Sequence, residues 1–292
     1  MAEITAAMVR ALREDTGLGM MDCKKALEES GGDVSAAKDI LRKKGLATAE
    51  KKAGRATSEG MVAIDLSADR TAAAMVEVRC ETDFCARNEQ FKTMVVELAK
   101  MAAGAPAGKV APTDAMAKRL QEVLAKIGEN MSYARGVKIA APVIGTYVHF
   151  NGKVGVIVGL DKPVTEEVLN DLCMHVAFAN PIAINPTDIP PAMVAKETEI
   201  AKSQAEQSGK PANIVEKMVT GKVSKFLTEN SLMEQPFVKD DKKSVQEMMN
   251  EQVGKIGENV QIRRFARFVL GEGLEKKSEN YAEEVAKVAG LK

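Results

Sequence analysis

Four cysteines and two histidines hold whatever nucleophilic or metal chemistry this chain could do: Cys23, Cys80, Cys85, Cys173, His149 and His175. A zinc site needs paired thiolates or imidazoles at short spacing. Cys80 and Cys85 form a half-site, but no second half follows and neither histidine neighbours it. Reduced thiols in the cytoplasm are the simpler expectation. A thiol hydrolase built on Cys85 and His149 is the one enzyme reading these residues allow, and no oxyanion motif accompanies it. The elbow G-x-S-x-G, the phosphate loop G-x-x-x-x-G-K-[ST] and the dinucleotide loop G-x-G-x-x-G are all absent. No catalytic residue, metal, cofactor or direct nucleotide binding is therefore expected.

A more distinctive stretch is Cys80-Glu81-Thr82-Asp83-Phe84-Cys85-Ala86-Arg87, which places acidic residues and an aromatic at a strand-to-helix junction. The matching junction later in the chain, Gly159-Leu160-Asp161-Lys162-Pro163, is an ordinary turn. Two readings are open. Either Asp83 or Asn88 caps the next helix while Phe84 folds back into the core, or the Asp-Phe pair is presented outward. His149, beside a turn, reads as a packed or hydrogen-bonded strand residue, and His175, inside an apolar helix, as structural.

The elements that must position these residues follow from hydrophobic spacing. Residues 1–55 read as three short helices and a linker, with Thr16-Gly17-Leu18-Gly19 ending the first helix and Asp33 capping the third. The cluster Arg42-Lys43-Lys44-Gly45 is expected to close that third helix, and the small, polar 49–60 stretch reads as the linker. From Gly60 the apolar period becomes two, giving a hairpin over 61–66 and 72–78, then helices over 88–103 and 113–127 and a strand to Ala140. The order recurs. Strands over 143–150 and 154–160 flank Asn151-Gly152, a strong hairpin-turn signal, and helices over 165–179 and 243–254 and a strand to Leu270 follow. The pentapeptide Lys-Ile-Gly-Glu-Asn stands at 126–130 and again at 255–259, the mark of an internal duplication. The second copy is longer, and the 185–230 segment accounts almost fully for the excess. It reads as an inserted antiparallel helical hairpin whose second helix carries Ile214, Val215, Met218, Val223 and Phe226 on one face. The domain plan is thus 1–55, 56–140, 141–270 with its insert, and a helical tail over 271–292.

Composition narrows the function classes. Lys and Arg total 41 against 41 Asp and Glu, so no general basic field attracts nucleic acid. Aromatics are 4% with no Trp, poor material for base stacking. The run Ile262-Arg263-Arg264-Phe265-Ala266-Arg267-Phe268 leaves an RNA-binding chaperone of the translation apparatus as the rival reading, although it lacks the glycine pattern of an RNA-binding strand. The first residues, Met1-Ala2-Glu3-Ile4-Thr5, do not read as a signal peptide. No run approaches the roughly 18 apolar residues of a membrane span, so a cytoplasmic, folded protein is expected.

Two long motifs carry a family resemblance. Leu12-Arg13-Glu14-Asp15-Thr16-Gly17-Leu18-Gly19-Met20-Met21-Asp22-Cys23-Lys24-Lys25-Ala26-Leu27 is similar to the amino-terminal signature of the bacterial translation elongation factor Ts family. Glu77-Val78-Arg79-Cys80-Glu81-Thr82-Asp83-Phe84-Cys85-Ala86-Arg87 resembles its second signature, with Arg79 where the family usually has Asn and Cys85 where it usually has Val. The first departure is expected to alter the hydrogen bonding that shapes the loop, and the second to place a small thiol where a branched side chain packs. The resemblance implies an α+β fold: an N-terminal three-helix (UBA-like) module, a duplicated hairpin-plus-helices core, the inserted helical hairpin and a C-terminal helix. It also implies a guanine-nucleotide exchange factor that binds elongation factor Tu and promotes GDP release without covalent chemistry. Thr82, Asp83, Phe84 and Cys85 then match the segment that disturbs the partner's Mg2+ site, and Leu12, Met20, Met21 and His149 match partner-binding positions. A homodimer within a 2:2 complex is compatible with this plan.

Overall fold

The first three helices, α1 (Ala6–Thr16), α2 (Met20–Glu29) and α3 (Val34–Lys52), pack Leu12, Cys23, Ala26, Leu27, Ala37 and Leu41 into a small core. Thr5 caps α1 by accepting the Met8 amide at 3.3 Å, and Asp33 caps α3 by accepting the Ser35 and Ala36 amides. The structure is a computed structural model that describes residues 4–256 and 259–274. Gly257 and Glu258 of the second pentapeptide, and the expected tail helix, lie outside the described residues.

α3 corrects the linker reading. It runs through Gly45 to Lys52 rather than closing at 42–45. Ala49-Glu50-Lys51-Lys52 are strong helix formers, and a charged, small-residue composition suits a helix as well as a linker. Tertiary contact supports the extension. Gly45 packs beside Ala125, where a Cβ would lie 3.4 Å from that of Ala125, and Lys52 Nζ donates to the Gly128 carbonyl.

The core then builds as β1 (Glu59–Leu66), β2 (Ala72–Cys80), α4 (Asp83–Arg87), α5 (Glu89–Ala103), β3 (Gly108–Lys109), α6 (Asp114–Ile127) and β4 (Met131–Ala140). These strands form an antiparallel sheet of order β1-β2-β4-β3. The second half repeats the scheme with β5 (Val143–Val148), β6 (Val154–Leu160) and α7 (Glu166–Ala179), and closes with α10 (Val245–Ile256) and β9 (Ile262–Val269). Between α7 and α10 come α8 (Pro191–Glu206), α9 (Ala212–Asn230) and a short pair, β7 (Pro236–Phe237) with β8 (Asp240–Ser244). The second sheet is ordered β5-β6-β9. The architecture is mixed α+β. β3, β7 and β8 have no sequence counterpart above, because two- to five-residue polar strands carry no readable period.

β2 and β6 are apolar on consecutive residues rather than alternate ones, and the packing explains this. From β2, Ala74, Val76 and Val78 face the core beneath α5 and α6, while Ala73 and Met75 face the second sheet. From β6, Val156, Val158 and Leu160 join the core with α7 and α10, while Ile157 meets Val62, Met75 and Ile139. The two sheets thus lie back to back with helices outside both. Gly155 sets their spacing: a Cβ there would stand 2.6 Å from Val62 Cγ1 and 2.7 Å from Met75 Sδ. Each large side chain buried on these faces stabilises by roughly 1.5–3 kcal/mol.

Two further differences concern local geometry. Asn151 does not take the positive φ of a two-residue hairpin turn. A four-residue loop spans His149 to Val154 instead, closed by the Gly152 amide on the His149 carbonyl at 2.8 Å with Gly152 at φ +69°. The insert α8–α9 stands on a base where the Leu232 amide meets the Ala183 carbonyl at 2.9 Å and the Met233 amide meets that of Ile184 at 3.0 Å. Ala201 and Ala205 are buried between its helices, and no residue of α9 is fully buried.

Candidate functional site

Phe84 points into solvent. It is 80% exposed, and the next residue, Cys85, is 3% exposed. The turn that separates them so sharply is a single helical turn, α4, opened by Thr82. The Thr82 hydroxyl accepts the Cys85 amide at 3.2 Å, and its carbonyl accepts the Ala86 amide at 3.1 Å. Cys85 drops into the core beside Cys80, whose thiol donates to the Thr82 carbonyl at 3.2 Å. Contact with the Cys85 thiol, and then burial, hold the Cys80 thiol far above its ordinary range. Asn88 caps the following helix by accepting the Gln90 amide at 2.8 Å. Capping therefore falls to Thr82 and Asn88, and of the two open readings the one that folds Phe84 back into the core is overturned.

Asp83 stays at the surface, with its carboxylate 3.0 Å from Arg87 Nη2 one helical turn on. The turn is also held from outside. Glu129, of the first pentapeptide, accepts both the Thr82 amide (3.0 Å) and the Thr82 hydroxyl (2.7 Å). Glu81 accepts the Asn130 amide at 2.6 Å. In sequence this pentapeptide marks only a duplication, and its recurrence is the available signal that it also does structural work.

Across a cleft from Asp83 and Arg87 lies the β5–β6 tip, with Val148, His149 and Phe150. His149 Nδ1 lies 2.7 Å from the Tyr147 hydroxyl, and its ring centroid lies 4.4 Å from that of Phe150. Phe150 is 92% exposed. Sequence reasoning did not single it out, although an aromatic at a polar turn is a usable signal. The tip is fixed to the first sheet by the Val62 amide on the Gly152 carbonyl (2.8 Å) and by Lys153 on Glu59 (2.7 Å).

On the amino-terminal module Met20 and Met21 are exposed, whereas Leu12 is fully buried. Leu12 packs against Cys23 and Leu27, so its place among surface-contact residues is corrected: the helical stripe that makes it conspicuous is the module's own core. Arg79 does not shape the loop. Its Nε meets Glu77 at 2.6 Å, and Glu77, fully buried, also receives Arg135 Nε at 2.7 Å and the Gly271 amide at 3.0 Å. This buried ionic cluster ties the end of β9 to β2 and β4.

Of the three arginines of the basic strand β9, two are engaged within the protein. Arg263 pairs with Asp161 at 3.0 Å, Arg267 donates to the Ala177 carbonyl and the Asn180 side chain, and Phe268 lies under Arg135. Cys85 is buried and His149 is engaged with Tyr147, which is no arrangement for thiolate attack. His175 is buried between the Gln235 side chain (3.0 Å) and the Val238 amide (3.2 Å), a structural residue. Among the described residues no three His, Cys, Asp or Glu side chains gather as a metal site. No helix among them is long and apolar enough to cross a membrane.

Scaffold and turn together define a protein that presents a few side chains outward from a two-sheet frame, and sequence comparison gives that class its role in translation elongation. The family model described as "Elongation factor TS" matches residues 81–272. The chain is 46% identical over 299 aligned positions to elongation factor Ts of a Nitratiruptor species, covering 97% of this chain and 98% of that one. It is 45% identical over 295 to that of Thioalkalivibrio sulfidiphilus (97% of each chain). With that of Clostridium perfringens it shares 42% over 301, covering 98% and 99%. The chain belongs to the elongation factor Ts family.

Proposed function

We propose that the protein is a guanine-nucleotide exchange factor for elongation factor Tu, acting in the cytoplasm without covalent chemistry. The observation that carries this reading is Phe84, 80% exposed on a turn held at Thr82 by Glu129 and at Cys85 by burial in the core. A large aromatic held out in water stabilises nothing in its own fold and is available to a partner's pocket. Coupling is reciprocal: GDP weakens binding of the factor by the same amount that the factor weakens GDP. A hundredfold effect needs about 2.7 kcal/mol. Burying one Phe side chain is worth roughly 1.5–3 kcal/mol, so a single wedge has the right size.

In this reading Phe84 enters the partner beside its magnesium site and Asp83 competes there for the metal's surroundings. Thr82 and Cys85 anchor the turn that carries them. Met20 and Met21 dock the amino-terminal module, and His149 meets a second part of the partner. The inserted hairpin serves contacts between factors, including a homodimer within a 2:2 complex. Release of labelled GDP from elongation factor Tu, measured with and without the protein, tests the reading. Unchanged release at saturating protein would reject it.

A further inference from the structure

We infer that Glu129 is a positioning residue for the wedge, and that the 128–130 strap links the placement of the amino-terminal module to the pose of Phe84. The inference rests on the exchange reading above. Five hydrogen bonds carry it. On one side the Glu129 carboxylate takes both the amide and the hydroxyl of Thr82, at 3.0 and 2.7 Å, and Glu81 takes the Asn130 amide at 2.6 Å. On the other side Asn130 Nδ2 donates to the Arg55 carbonyl at 2.8 Å, and Lys52 Nζ donates to the Gly128 carbonyl.

The chemistry of the clamp is specific. Thr82 must offer its hydroxyl oxygen to the Cys85 amide, which sets the pitch of the turn and hence the direction of Phe84. A hydroxyl has one proton and can turn it anywhere about its bond. Glu129 fixes that proton, because its carboxylate accepts and cannot donate, and so leaves the oxygen's lone pairs for Cys85. The second carboxylate oxygen fixes the Thr82 backbone at the same time. The Glu129 carboxylate grips Thr82 rather than Asp83 or Phe84, so its effect on the wedge passes through Thr82. The strap is short and doubly bonded, so a shift of the α3 end displaces Gly128 and, with it, the next residue, which grips Thr82.

Two readouts test this on the full chain: amide hydrogen exchange at Thr82 and Cys85 in the free protein, and the rate of GDP release from elongation factor Tu. In Glu129→Ala both amides are expected to exchange at least tenfold faster while the β2 and β6 amides keep wild-type protection. Maximal GDP release falls about tenfold, and the half-saturating concentration of the factor stays within about twofold. Glu129→Gln keeps one acceptor and restores at least a third of the maximal rate. Lys52→Met, cut at the far end of the strap, loosens the Thr82 amide in the same direction by a smaller factor. Wild-type protection of Thr82 and Cys85 in Glu129→Ala overturns the inference, and so does a loss of affinity that matches the loss of maximal rate. Should Glu129→Ala fail to fold, Glu129→Gln decides: faster exchange at Thr82 or at Cys85 supports the clamp, and wild-type exchange at both rejects it. If the wild type itself leaves GDP release unaltered, the exchange reading fails, while the amide measurement still judges the clamp.

Discussion

Arg87 reaches back one helical turn and holds the Asp83 carboxylate at 3.0 Å, with both side chains largely in water. An exposed pair at this spacing is worth only about 0.3–0.5 kcal/mol, so a stronger cation can take the carboxylate away at little cost. Asp83→Ala should therefore leave the fold intact and lower stimulated GDP release less than removal of Phe84 does. The size of the loss should change with magnesium concentration. A loss that is the same at every magnesium level would exclude a role for Asp83 beside the partner's metal.

Phe84→Ala separates wedge from core. Surface changes away from special features stay within about 0.5 kcal/mol, so the melting temperature should move by no more than about 2 °C. GDP release should slow at least tenfold. A drop in stability of about 3–5 kcal/mol, the signature of a core aromatic, would contradict the exposed placement.

Leu12 and the methionine pair should give opposite signatures from the same module. Met20→Asp with Met21→Asp should weaken partner binding in a titration while the melting curve stays put, because both residues are exposed. Leu12→Ala should destabilise the module by about 2–5 kcal/mol through the cavity it leaves, with binding lost only as the module unfolds. Equal binding by the double variant and the wild type would remove the docking role.

His175 makes stability depend on pH in a defined direction. Burial lowers its pKa, and the bond to Gln235 opposes that only in part. In the unfolded chain the imidazole protonates near pH 6.5, in the folded one only below that. Between those two values the unfolded state binds more protons, so stability is full above about pH 6.5 and falls as the pH drops towards the folded value. Thermal melts between about pH 7 and pH 5 should show a steeper decline for the wild type than for His175→Gln. Parallel declines would exclude His175 as the source.

Much of the fold was legible because long amphipathic segments declare their period. α5, α6 and α7 fall within a residue or so of the pattern read from spacing. The duplicated pentapeptide marked the two halves. What spacing could not supply was the partner of each face. Ala73 and Met75 look no different from Ala74 and Val76 in sequence, yet they pack against different layers. Leu12 shows the same limit: an apolar stripe says that a face is covered and not by what. At the candidate site the residue types at 82–85 were conspicuous, but the carboxylate that grips the turn at Thr82 belongs to Glu129, which is distant in sequence and meets Thr82 only once the chain is folded.

The close seat of Gly155 against Val62 and Met75 has a mechanical meaning. The two sheets meet at this point with no side chain between them, and the β5–β6 tip is bonded directly to β1. The contact between the sheets therefore sets the separation of Phe84 on one half and Phe150 on the other, as a caliper sets its jaws. A body that meets both jaws must conform to that width, and the strain of a poor fit falls on the softer of the two molecules.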